Sequence, residues 1–199
     1  MIKGFPTRRD SIILAAIDII SESGVQGLST KKIAEKQGIS ESLLYKHFKK
    51  LDDVLVEVIR YFSQFDAMIA NTIIKKDISC KDKILEYTKS FVELYETYPA
   101  LAAILLNYEV LMHYDHTRQL ITDVITNRIE FITQAIVTGQ ERGEISTYYT
   151  PEELADIIKG IVLTSTFRWK MTDYTYPLKD GILLTIRKVL ETSPLSRNE

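Results

Sequence analysis

One cysteine, Cys80, stands among 199 residues, so no disulfide can form within the chain and a packed core must hold the fold. A lone thiol suits a reducing compartment, and a cytoplasmic location is expected. Five prolines and eight glycines are too few for the turn-dense β architectures. No stretch approaches the ~20 apolar residues that span a bilayer. The apolar run 12–17 behind Arg8 and Arg9 superficially resembles a secretory leader, but Asp18 interrupts it and no small-residue cleavage pattern follows. Internal repeats and low-complexity tracts are missing. The net charge is only −2, which excludes a uniformly basic surface. There is no nucleophile elbow, Gly-rich phosphate loop, Cys–His pairing or metal-ligand spacing, so no catalytic residue, metal or cofactor is expected and the chain is not read as an enzyme.

What remains is helix. Hydrophobic residues make up 45% of the chain, enough for a core in one or two domains. The spacing of Ile12, Ile13, Ala16, Ile17 and Ile20 predicts a helix over 7–23 that Gly24 ends. Asp52 and Asp53 open a long helix that continues to about Lys76. Helices follow over 82–98, from Pro99 to Leu106, over 117–142 up to Gly143, from Pro151, and after Pro177. Residues 107–116 read equally as helix or as a break. The expected division is 1–50, a connecting helix 51–78, a larger helical domain 79–192, and a frayed tail 193–199.

The most specific signal lies in 29–50. Thr30 can cap a short helix that Gly38 stops, and Ser40 can cap a second helix with Leu43, Leu44 and Phe48 available for packing. Ser42, Tyr45, Lys46 and His47 are left outward. This segment has six lysines and two glutamates in a chain that is otherwise slightly acidic. Local positive charge on two hinged helices is the pattern of a helix-turn-helix that enters a major groove.

Ser23-Gly24, Leu28-Ser29-Thr30, Ile33-Ala34, Gly38-Ile39-Ser40, Leu44-Tyr45-Lys46-His47-Phe48-Lys49 and Asp52-Asp53-Val54-Leu55 resemble the TetR/AcrR family of transcriptional regulators. The run from Gly139 to Ile145 is similar to a turn common in that family. The resemblance implies an all-α fold of about nine helices: an N-terminal three-helix DNA-binding domain, then a helical ligand-binding and dimerisation domain. It implies a homodimer on a pseudo-palindromic operator and a repressor released by a small apolar or amphipathic effector. The alternative is a similar helical body that acts mainly through a protein partner, with weak DNA binding. Carried over by position, Thr30, Lys31, Ser40, Ser42, Leu43, Tyr45, Lys46, His47, Lys49 and Lys50 are the expected DNA contacts. Leu43 departs from the small or hydroxyl residue usual there, and suits a thymine methyl. Leu51 stands where a lysine often precedes the acidic pair.

Tyr87, Phe91, Tyr95, Tyr108, Glu109, Met112, His113, Arg128 and Phe131 are candidates for an effector pocket, with ordinary core packing an equal reading. His113 and His116 flank Asp115 but lack a further ligand at a diagnostic spacing. Cys80 has no partner thiol and is read as structural. The apolar stripes of the last two helices bury either against the body or against a partner; favouring a dimer interface, the candidates are Ile158, Ile161, Val162, Ser165, Trp169, Ile182, Ile186 and Val189.

Overall fold

The computed structural model describes residues 7–191, so the expected tail 193–199 lies outside the described residues. Among the described residues there are eleven α-helices, two 3-10 turns and no strand. The all-α expectation holds. The chain packs as two compact units: one from residues up to Gln64 with Tyr98–Val124, the other from Phe65–Thr97 with the chain from Ile125 onward.

The first unit begins with α1 (Arg8–Ser23), started by a capping box in which Thr7 Oγ1 accepts from Asp10 N and Asp10 accepts from Thr7 N. The expected isoleucine stripe is buried, with Ile12, Ile17 and Ile20 fully so. Gly24 ends the helix at a φ of 72°. In α2 (Thr30–Gln37) the cap is Ser29, whose hydroxyl accepts from Lys32 N at 3.2 Å, and not Thr30 as the sequence suggested. Thr30 is already helical, and its hydroxyl donates to Glu41 Oε2 at 2.7 Å. Gly38 closes α2 at φ 61° and ψ 37°, a left-handed conformation that a Cβ disfavours. Ser40 caps α3 (Glu41–His47) through Leu43 N at 3.2 Å, as expected.

The predicted helix from Asp52 to Lys76 is two helices, α4 (Leu51–Ser63) and α5 (Asp66–Ile74). No Pro or Gly marks the break. Ser63 Oγ donates back to Ile59 O at 3.0 Å, a local bond that competes with the helical ladder, and Gln64 N turns to Tyr61 O. The ambiguous stretch resolves as a break: α6 (Cys80–Thr97), a 3-10 turn, α7 (Ala102–Leu106), α8 (Tyr108–Met112), then α9 (Asp115–Glu141). Asn107 Nδ2 donates to Ala103 O at 2.7 Å, and the buried Thr117 hydroxyl donates to Leu111 O at 2.6 Å, so side chains satisfy the carbonyls that the interruption frees. These two interruptions raise the helix number above the expected nine.

The second unit packs α5, α6, the later part of α9, α10 (Pro151–Met171) and α11 (Leu178–Leu190). Thr150 and Glu153 form a capping box at α10. Pro177 offers α11 no capping side chain, and Glu96 of α6 supplies one: its Oε1 accepts from Leu178 N at 2.7 Å and Lys179 N at 3.0 Å. The turn after α9 closes on Gly139, whose carbonyl accepts from Glu144 N and Ile145 N at 2.8 and 3.0 Å. A Cβ on Gly139 would lie 2.6 Å from Ile145 Cδ1 and 3.0 Å from Cys80 Cβ. Gly139→Ala is therefore expected to lose about 1–3 kcal/mol in chemical denaturation, as overpacking does; a midpoint equal to wild type would show that Ile145 yields freely.

Candidate nucleic-acid interface and effector region

The two-turn helix α3 has one face to bury and one to show. Leu44 is fully buried and Phe48, just past its end, is 2% exposed. The opposite face carries exposed Ser40, Ser42, Tyr45 and Lys46, with Lys31 on α2 and Lys49 and Lys50 beyond α3 also exposed. Thr30, Leu43 and His47 are half-buried. All ten expected contacts thus lie in one unit, and seven present exposed side chains.

The electrostatics sorts the lysines. Lys36 is drawn to Glu22 of α1 at 2.6 Å, a hydrogen bond that raises its pKa, so it ties α2 to α1. Lys31 lies 3.9 Å from Glu35 in an exposed pair worth well under 1 kcal/mol. Lys50 Nζ is 3.0 Å from Asp52. Lys46 and Lys49 have no carboxylate partner among the described residues, the most available state for a phosphate.

Two supports escaped the sequence reading. Arg9 of α1 donates from Nη1 to His47 O at 3.0 Å, pairs with Glu57 at 3.4 Å, and stacks 4.4 Å above the Phe48 ring. It thereby fixes the C-terminal end of α3. Asp53 accepts from the backbone amides of Lys49 and Lys50 at 3.1 and 3.2 Å, which fixes the basic flank. The acidic pair at 52–53 was legible as a helix start, but not as a clamp on two lysines.

The expected pocket residues divide. Tyr87, Phe91, Tyr95, Arg128 and Phe131 belong to the second unit and touch one another. Tyr87 stacks on Phe131 at 3.8 Å and meets Phe91 edge-on at 4.9 Å. The Arg128 guanidinium lies 4.2 Å over the Phe91 ring, forks onto both Asp66 oxygens at 2.7 and 2.9 Å, and donates to Tyr95 Oη at 3.2 Å. Burial raises the pKa of both Tyr87 and Tyr95. Asp66, which anchors the fork at the start of α5, was not foreseen because nothing in sequence links it to a residue 62 positions away. Tyr108, Glu109, Met112 and His113 belong to the first unit instead: Tyr108 meets Phe62 edge-on at 5.9 Å, and the other three are exposed. A separate open groove of about 350 Å³ runs between α5 and α6, lined by Phe65, Met68, Ile69, Ser90, Glu93, Leu94 and Thr97.

The expected interface residues divide as well, and half of them need correction. Ile158, Trp169, Ile182 and Ile186 are buried within the single chain, and Trp169 Nε1 donates to Tyr176 O at 2.8 Å, so they are core and cannot meet a partner. Ile161, Val162, Ser165 and Val189 are half-buried. The exposed apolar side chains are others: Leu163, Phe167 and Met171 follow at helical spacing on α10, Phe167 being 54% and Met171 69% exposed, and Leu184 is exposed on α11. Cys80 is buried. Its thiol pKa is raised by burial and by Glu144, whose carboxylate also accepts the Cys80 amide, as an inert structural thiol requires. Among the described residues no metal-binding cluster occurs, and no helix is long and apolar enough to cross a membrane.

A capped, hinged pair of helices with an outward cationic face, set in an all-α chain, defines a helix-turn-helix DNA-binding regulator. Residues 12–58 match the family described as bacterial regulatory proteins, tetR family, and residues 60–190 match the YsiA-like protein C-terminal region. The chain belongs to the TetR family of transcriptional regulators. It is a ligand-responsive DNA-binding regulator that works on operator DNA as a dimer. The fatty acid metabolism regulator protein of Bacillus subtilis is 25% identical over 169 residues, covering 84% of this chain and 86% of that one. The structure of FadR from Bacillus subtilis in complex with stearoyl-CoA is 22% identical with a TM-score of 0.75, covering 91% and 97% of the two chains. The ketosteroid regulator KstR2 of Mycobacterium tuberculosis reaches a TM-score of 0.82 at 17% identity, covering 94% and 95%.

Proposed function

We propose that this chain is a cytoplasmic, non-enzymatic repressor whose operator affinity falls when a long-chain acyl-CoA thioester binds its effector domain. The reading is carried by the likeness over 169 residues to a relative named for fatty acid metabolism, beside the match of residues 60–190 to the YsiA-like C-terminal region. Its chemistry is consistent: the Tyr87, Phe91 and Phe131 rings offer apolar wall to a hydrocarbon chain, and Arg128 offers one cation beside them. Division by role follows the chain, with DNA binding in 1–50, a connection over 51–78, and effector binding and dimerisation over 79–192. Thr30, Lys31, Tyr45, Lys46, His47, Lys49 and Lys50 hold phosphates, while Ser42 and Leu43 face bases. Dimerisation uses Leu163, Phe167, Met171 and Leu184, because an apolar row of that size is not left wet on a monomer.

Operator duplexes selected from random sequence provide the test. Stearoyl-CoA is expected to release the protein from them and to raise its melting temperature, whereas free CoA does neither; indifference to every acyl-CoA chain length would sink the effector assignment. Lys46→Ala should lower affinity evenly across sequences and reduce the slope of log K against log salt by about 0.9, the share of one phosphate contact. An unchanged slope would remove Lys46 from the interface. Phe167→Asp is expected to yield folded monomers in light scattering. Persistent dimers with that variant would put the interface on another face.

A further inference from the structure

His116 stands in the second position of α9, half-buried, with its Nε2 out of contact with solvent and without a hydrogen bond. Asp52 of α4 faces it, with Oδ1 3.6 Å away. The other Asp52 oxygen is already engaged, 3.0 Å from Lys50 Nζ. One carboxylate therefore faces two groups: a lysine on the basic flank of the recognition helix and an imidazole on a different helix of the same unit. The remaining neighbours do not compete. Tyr114 presents its ring 5.7 Å from the imidazole, and Asp115 pairs with Arg118 at 3.7 Å.

We propose that His116 is a positioning residue for DNA binding: by sharing Asp52 with Lys50, it sets how much of the Lys50 charge is free to meet a phosphate. The proposal rests on the reading that Lys50 belongs to the DNA-contact flank. When His116 is neutral, the Asp52 carboxylate has one cation to face, and Lys50 is held beside it. When His116 is protonated, the imidazolium draws and neutralises the same carboxylate from its other side, and the Lys50 ammonium is released outward. The sign follows directly. Operator affinity rises as pH falls through the histidine range, and rises through one additional phosphate contact. His47 is a second histidine, on α3 among the expected contacts, so total pH dependence does not isolate His116; the Asp52-dependent part does.

Binding to a mixed-sequence duplex, followed by fluorescence anisotropy over a salt series at about pH 6 and about pH 8, either side of the ordinary histidine pKa, measures this. For the wild type the salt slope should steepen by about 0.9 between the two pH values beyond whatever His47→Gln removes. His116→Gln should keep the shallower slope at both. Asp52→Asn should give the steeper slope at both and make His116→Gln silent when the two are combined. Thermal melts of each variant guard against misfolding, and Asp52→Asn, at a more exposed site, carries the test alone should His116→Gln not fold. If Lys50→Ala leaves the slope unchanged at about pH 6, where the lysine is released, Lys50 does not touch DNA and the underlying reading fails. If Lys50→Ala lowers the slope but His116→Gln or Asp52→Asn retains the wild-type pH response, the sharing of Asp52 is wrong.

Discussion

Burial of Leu44 and Phe48 is the constraint on which the DNA-facing surface depends. A helix of seven residues has room for one apolar stripe, and each of these side chains gains roughly 1.5–3 kcal/mol by leaving water. The exposed ion pairs around them, such as Lys31–Glu35, are worth at most about 1 kcal/mol. Hydrophobic burial therefore decides the rotation of α3, and the polar residues between the stripe positions are forced outward as a consequence. Arg9 removes the remaining freedom. It sits over the Phe48 ring and holds the carbonyl of His47, so the last turn of α3 is bound to the first turn of α1. The outward set is presented on a short helix with both ends fixed, Ser40 at one and Arg9 at the other.

That logic explains which parts could be read from sequence. Stripes of isoleucine at helical spacing, the glycine at 38 and the hydroxyl at 40 act through local geometry, and local geometry is written in neighbouring residues. The cap of α2 slipped by one residue because Ser29 and Thr30 are both good caps, and the choice is made by Glu41, which takes the Thr30 hydroxyl from another helix. The break between α4 and α5 has no Pro or Gly to announce it. Ser63 bonds back within α4, while Asp66 at the start of α5 is claimed by Arg128. Glu41 stands on another helix and Arg128 lies 62 positions from Asp66, and periodicity carries no trace of either.

The burial of half of the expected interface residues within one chain has a different cause. A seven-residue apolar rhythm reports that a helix packs against something, not what. In α10 the face bearing Ile158 and Trp169 packs inside its own chain, and the Trp169 indole is committed to the Tyr176 carbonyl. The informative feature was a second apolar row on the same helix, Leu163, Phe167 and Met171, in excess of what one buried face needs. A helix with two apolar faces has two neighbours, and the one left wet in a single chain is the one available to a partner.

Arg128 poses the sharpest energetic question. Its fork with Asp66 lies where both side chains are about 15% exposed, among Phe91, Tyr95 and their neighbours. Pairs this deeply withdrawn from water recover little more than their desolvation cost, so stability alone is a weak reason to keep one, whereas removing one partner leaves a stranded charge. The pair does something that an apolar contact of equal volume could not. It fixes α5 to α9 at one register, because a bidentate fork tolerates little sliding. A ligand that offered Arg128 another oxygen would compete with Asp66 for the fork, and so would act on that register. Differential affinity for two arrangements is what an effector must have, and a withdrawn ion pair between helices is a means of providing it.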